Sequence, residues 1–151
     1  MTESFDELQG YIRAEEQLKN ITDLLAPRHR LRPGLRNAVP YTDADGRPTK
    51  LVNVEVNYLL IDTGVDADAD PADRMAANTE VFRRVEEWWT EHDYLIVTRT
   101  VDQPYRVLRV RDRRDDFTVA LKQGARGNLW LTASSAPVTR TRITPPPPAL
   151  A

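Results

Sequence analysis

The sequence contains no cysteine. That absence excludes disulfides, thiol nucleophiles and thiolate metal ligands, and it suits a reducing compartment. Histidine is nearly as scarce, with only His29 and His92. Neither has a second histidine four residues away, so the helical metal pair is missing. His29 lies in the basic, proline-flanked stretch APRHRLRP. His92 sits at the end of a helical segment, where an imidazole can bond the last free carbonyls. Lysine is limited to Lys19, Lys50 and Lys122 among 21 basic residues. With frequent Ala, Asp and Pro, that arginine bias is the composition expected of high-GC bacterial coding. No phosphate-cradling P-loop, G-x-G-x-x-G or G-x-S-x-G motif occurs. QGARGN offers two glycines, but in the pattern of a hairpin turn. The opening MTESFDELQGYIRAEE is acidic and lacks the apolar core of a signal peptide. No run approaches the roughly 20 apolar residues that span a bilayer. A net charge of −2 supplies no global field for nucleic acid or anionic lipid.

What is present reads as one α+β domain over residues 1–138, followed by a flexible proline-rich tail at 139–151. Apolar Phe5, Leu8, Ile12, Leu18, Ile21 and Leu25 recur at helical spacing and predict a helix over 3–25, capped by Ser4 or Thr2. Gly10 weakens its interior and Pro27 ends it. The stretch 27–50 has no clear period and four prolines, and reads as a long connection with a turn at Asp45-Gly46. LVNVEVNYLLI, 51–61, alternates cleanly, with Asn53, Glu55 and Asn57 opposite its apolar face. A second helix is predicted over 71–92, striped by Met75, Val81, Phe82, Val85, Trp88, Trp89 and His92. Strands follow near 94–102, 105–111, 116–122 and 128–134, broken by Asp102-Gln103-Pro104, Asp112–Asp115 and Gly124–Asn128, as in an antiparallel meander. The expected architecture is two helices packed on one face of a four- to five-stranded, mainly antiparallel sheet, in the order α-β-α-β-β-β-β.

DADADPADR, 66–74, poses a sharper question, because alternating aspartates begin a calcium loop. Such a loop needs glycine at its sixth position and a bidentate glutamate at its twelfth. Counted from Asp66, those positions hold Pro71 and Ala77. Asp70 as N-cap, Pro71 as first helical residue and Asp73 in the first turn explain the run better. It is the start of a helix, and no metal or cofactor is expected.

Charge is segregated. Residues 62–93 carry ten acidic and three basic side chains, whereas 94–142 carry ten basic and four acidic ones. Arg106, Arg109, Arg111, Arg113 and Arg114 gather around one hairpin. The plain reading is a solvated face whose arginines pair with the acidic helix. A protein-binding surface is the functional one. Nucleic acid is disfavoured, because Tyr105, Phe117 and Trp130 all fit apolar strand faces rather than stacking platforms. Trp88 and Trp89 project about 100° apart on a helix, so one can fill the core while a partly exposed Trp88 offers an apolar contact.

Three stretches resemble a group of small actinobacterial lipoproteins to which no function is assigned. They are the helix ending LLAP, the segment WWTEHDYLIV at 88–97, and DDFTVALKQGARGNLWLTASSAPV at 115–138. The resemblance implies a fold and no activity. Those proteins commonly carry an export signal, a lipid-accepting cysteine and two further cysteines; here the regions Asn37–Asp43 and Ala136–Val138 contain none. The expectation is a cytoplasmic protein as the sequence stands, or an envelope-attached one if an export signal precedes it. Functionally, a non-catalytic protein-interaction module is expected. It would use either the hairpin arginines or Asn53, Glu55 and Asn57, with Trp88 as an apolar contact. The N-terminal helix also suits homodimerisation. The alternatives are a toxin-neutralising immunity protein and a small-ligand binder or enzyme.

Overall fold

The computed structural model describes residues 6–66, 68–100 and 104–150. In chain order the elements are α1 (Glu7–Leu25), β1 (His29–Thr42), β2 (Pro48–Asp62), α2 (Pro71–Glu91), β3 (Tyr94–Thr100), β4 (Arg106–Asp112), β5 (Thr118–Gln123), β6 (Leu129–Ser134) and β7 (Val138–Thr139). The strands form one sheet ordered β1-β2-β6-β5-β4-β3, with antiparallel neighbours, and β7 pairs with β2 beyond the end of β6. The α+β class and the two helices match the sequence reading. The strand count and element order do not, since seven strands replace four or five and two of them precede α2.

Two strands were missed, the short β7 and β1, which lies inside the stretch expected to be a connection. Pro33 and Pro40 obscure it, because proline cannot donate to a ladder. At a sheet edge that loss is tolerated, and β1 is an edge strand. Its register slips between Pro33 and Arg36 and again between Pro40 and Thr42. Asn57 steadies the first slip by accepting from the Leu35 amide at 3.0 Å. The turn at Asp45-Gly46 is as expected. The Asp43 carboxylate accepts from the amides of Asp45 and Arg47, and Gly46 takes a φ of +78°.

The capping of α1 falls to Asp6, which trades hydrogen bonds with Gln9 at 2.9 Å each way. This reciprocal box satisfies two donors that a helix start otherwise leaves free. The expected caps Ser4 and Thr2, and Phe5 in the apolar stripe, lie outside the described residues. Leu8 and Ile12, expected to face inward, are exposed, and Tyr11 and Ala14 are buried instead. Gly10 allows this rotation. A Cβ there would stand 3.0 Å from the Val54 side chain, so the missing side chain lets α1 settle on β2.

At α2, Asp70 accepts from the Ala72 amide at 2.8 Å and Pro71 opens the helix, as the aspartate run predicts. The helix ends at Glu91, where the ring of His92 lies 2.7 Å from the Trp88 carbonyl. The turn expected at Asp102-Gln103 lies outside the described residues.

One side of the sheet is apolar. Val52, Val54, Val56, Tyr58 and Leu60 of β2 share it with Leu129 and Leu131 of β6, Val119 and Leu121 of β5, and Leu108 and Val110 of β4. The helices divide this side. α1 lays Tyr11, Ala14, Leu18, Ile21 and Leu25 over β2 and β6, while α2 brings Val81, Phe82, Val85 and Trp89 to β3 and β4. Each large side chain so buried contributes about 1.5–3 kcal/mol. β1 borders α1, where Arg36 meets Glu15, and is covered in part by residues 140–150, which run without regular structure. Buried Glu7 anchors that run by accepting from the amides of Thr141 (2.7 Å) and Arg142 (3.0 Å).

The β5–β6 turn meets the start of α2 at Gly127. Its φ is +79°, and a Cβ would come within 2.6 Å of the Arg74 Cβ and 3.2 Å of the Pro71 carbonyl. Gly46 has nearly the same φ with nothing within 4 Å. Gly46→Ala is therefore expected to cost about 1 kcal/mol of strain alone, and Gly127→Ala about 3 kcal/mol because backbone must also move. Urea melts of the two variants check this difference.

Candidate functional site

Strand pairing settles where each candidate residue points, because directly opposed residues share a face. One continuous row reads Arg32, Leu59, Trp130, Lys122, Val107. The next reads Asn57, Thr132, Ala120, Arg109, Thr98, and a third Asn37, Glu55, Ser134, Thr118, Arg111, Leu95. All three rows lie on the side opposite the helices. The two surfaces treated as alternatives in the sequence reading are thus one surface: Arg109 and Arg111 share it with Asn53, Glu55 and Asn57.

The remaining candidates lie elsewhere. Arg106 points to the helix side, its guanidinium 4.2 Å from the Phe82 ring centre and 3.3 Å from the Thr79 hydroxyl. Burial, and then repulsion from Arg99, lowers its pKa. Arg114 is clamped to Asp112 through both Nε and Nη2. Arg113 stands loosely 3.6 Å from Asp93 in the open. Trp88 stacks on His92 with ring centres 3.8 Å apart at the outer end of α2. Of the two asparagines, Asn53 is committed to the Ser135 carbonyl and Asn57 to the β1 slip. Both serve the strand pairing that displays the face.

Pairing of the hairpin arginines with the acidic helix fails for Arg109 and Arg111, because α2 is on the far side. Arg99 does pair with that helix, binding Glu86 at 2.6 Å. On the bare face stand Arg30, Arg32, Arg109, Arg111 and Lys122, with Glu55 as the carboxylate among them. Arg111 has a loose contact to Asp116 at 3.8 Å. The other four cations make no ion pair with a described carboxylate. Trp130, half-buried, lies at the centre, its ring folded over Gly124 where a Cβ would come within 2.9 Å.

Sequence reasoning missed two parts of this surface. Arg30 and Arg32 were hidden with β1. Trp130 was assigned to an apolar face, and its position corrects that assignment. The signal was available in LWLTAS: Leu129, Leu131 and Ala133 are buried, so Trp130, Thr132 and Ser134 take the other side. Phe117 is buried as expected, and Tyr105 is exposed outside any strand.

A cleft of about 540 Å³ opens where the end of β2, the start of α2 and the β5–β6 turn meet, lined by Leu59, Ile61, Asp62, Arg74, Asn78 and Asn128 among others. Its polar groups are largely spent on the fold. Asn78 donates to Gln123 and to the Gly127 carbonyl, and Asp62 binds Arg28 at 3.0 Å. His29 is buried beside Asp62, its Nε2 3.7 Å from the carboxylate. Burial lowers its pKa against the pull of that carboxylate, which favours a neutral ring. Among the described residues no three His, Asp or Glu side chains gather as a metal ligand set. Nor is any described helix long and apolar enough to cross a membrane.

The geometry defines a class: an α+β domain with two helices on one face of an antiparallel sheet and a bare, cationic opposite face. Against known proteins, the chain matches no family, no curated protein and no solved structure.

Proposed function

We propose that the protein is a non-catalytic interaction module whose bare sheet face docks an acidic protein surface. The observation that carries this reading is the set of uncommitted cations, Arg30, Arg32, Arg109 and Lys122, flanking Trp130 and Leu59 with one opposing carboxylate, Glu55. Tryptophan and arginine are enriched at the energetic centres of protein interfaces, and unpaired cations steer an acidic partner. A protein partner fits better than single-stranded nucleic acid, which uses successive aromatic platforms, whereas in the paired rows of this face Trp130 is the one aromatic among the described residues and Glu55 would repel phosphate. An immunity role is a special case in which the acidic partner is a toxin. Kinship with the actinobacterial lipoproteins belongs to the same proposal and adds no activity. The stretches that suggest it supply Trp89, Tyr94, Phe117 and Leu131 to the core, so they speak to folding rather than chemistry. A cytoplasmic setting, where the lack of cysteine costs nothing, is part of the reading.

NMR titration with a 20-residue polyglutamate tests it, with oligo-dT of equal length as the second arm. Polyglutamate is expected to shift the amides around Arg30, Arg32, Arg109 and Lys122 and the Trp130 indole N–H, more weakly at higher salt. Arg109→Glu combined with Arg111→Glu should reduce affinity at least about tenfold. Preferential binding of oligo-dT, or polyglutamate shifts centred on another surface, would overturn the reading.

A further inference from the structure

Residues 140–150 do more than cover β1, and the groove beneath them has the features of a ligand site. Within this run Ile143 and Pro146, three apart, turn inward, while Thr144, Pro145, Pro147 and Pro148 are exposed. A spacing of three is the period of the polyproline II helix. Ile143 and Leu150 pack on the core, Ile143 close to Ala38. Between them the Arg36 Nε donates to the Pro146 carbonyl at 3.0 Å, and the Leu150 amide reaches the Tyr58 hydroxyl at 3.4 Å. A polyproline segment has no internal hydrogen bonds and few amide donors, so it is recognised through its carbonyls and its ridged apolar flank.

The donor that reads the carbonyl is held in place beforehand. Arg36 binds Glu15, lies 3.3 Å from the Tyr58 hydroxyl and stands over the Tyr11 ring at 5.9 Å. Tyr58 in turn donates to Glu15 at 2.7 Å. The side chain of Arg36 is nine-tenths buried, yet its Nη2 is enclosed without an acceptor among the described residues. An enclosed donor without a partner is costly, and the chain's own segment leaves that cost in place. A segment with one more carbonyl or carboxylate at that point would bind better than the one now there.

We propose that the groove formed by α1, β1 and Arg36 is a binding site for proline-rich peptide segments, occupied in cis by residues 143–150 and available in trans when they leave. Tethering through Glu7 gives the chain's own segment a high effective concentration, so it acts as a built-in competitor. The site lies on the helix side of the sheet, opposite the cationic face, and the two proposals stand or fall separately.

The test uses the whole chain with Pro145 and Pro147 changed to Gly and Pro146 and Pro148 to Ser, and a synthetic peptide ITPPPPAL as probe. By calorimetry the substituted chain is expected to bind the peptide at least about tenfold more tightly than the unaltered chain. The Arg36 Nε–H resonance should move on binding, and Arg36→Gln in the substituted chain should abolish binding. If Arg36→Gln unfolds the chain by stranding Glu15, the resonance shift alone decides. A folded substituted chain that ignores the peptide at millimolar concentration, or binds it with the Arg36 resonance unmoved, overturns the proposal.

Discussion

Replacing Asp112 with alanine is expected to lower the free energy of unfolding by about 3 kcal/mol. Asp112 is 1% exposed at the end of β4, and four groups depend on it. Gln17 donates to it at 2.7 Å and Arg13 at 3.1 Å, both from α1. Arg114 adds its guanidinium and its backbone amide from the following turn. Gln17 also accepts from the Tyr94 hydroxyl of β3. One carboxylate therefore joins α1 to β4 and, through Gln17, to β3, and its loss strands a buried amide and a partly buried guanidinium. The same contacts set a pH dependence. Burial alone would raise the pKa of Asp112, but the guanidinium and amide of Arg114 and then Gln17 outweigh it and hold the group at about 2. Because the folded value lies below the unfolded value of about 4, the contribution is complete above pH 4 and is lost as pH falls toward 2. Urea melts of the wild type and Asp112→Ala between pH 7 and pH 2 should converge at the acid end. A constant gap across that range would contradict this account.

Trp89→Ala is expected to cost about 4 kcal/mol, and Trp88→Ala about 1 kcal/mol or less. The residues are adjacent, but the helical turn separates them by about 100°. Trp89 is fully buried in the core beneath α2, with its ring near Tyr94. Trp88 is half-exposed and stacks on His92. The indole Nε1 of Trp89 has no hydrogen-bond partner among the described residues, so Trp89→Phe forfeits volume and no hydrogen bond. Its cost should be about half that of the alanine variant. Thermal melts of the three variants rank them. A Trp88→Ala variant as unstable as Trp89→Ala would mean that the phase of α2 is misassigned.

Much of the fold was legible because hydrophobic period and end signals are local. Asp70-Pro71 announces the start of α2, and alternation from Val52 to Leu60 announces β2. β1 was not legible, since proline signals a break except where a strand has one free edge, and edge position is a property of the whole sheet. The phase of α1 was misread in its first half because Gly10 looked like a weak point rather than the contact with Val54. Leu8 and Ile12 were apolar but outward. The candidate surface was half legible. Arg109, Arg111, Asn53, Glu55 and Asn57 could be named from the sequence, but nothing local says that β2 and β4 present those residues on one face. That follows from β5 and β6 lying between them, with no register shift in any of the three pairings. Arg106 and Arg114 were grouped with their neighbours by sequence distance, whereas pleating and a turn send them elsewhere.

The bare face is the centre of the account, because helices and the 140–150 run attend to one side of the sheet and leave four cations on the other without an ion pair among the described residues. Site-specific photo-crosslinking in the native cell tests this most directly. A benzophenone side chain placed at Trp130 or Arg109 is expected to yield a discrete adduct with an acidic protein, while one at Glu87 on the outer side of α2 yields none. Adducts from Glu87 alone, or from all three positions alike, would contradict it.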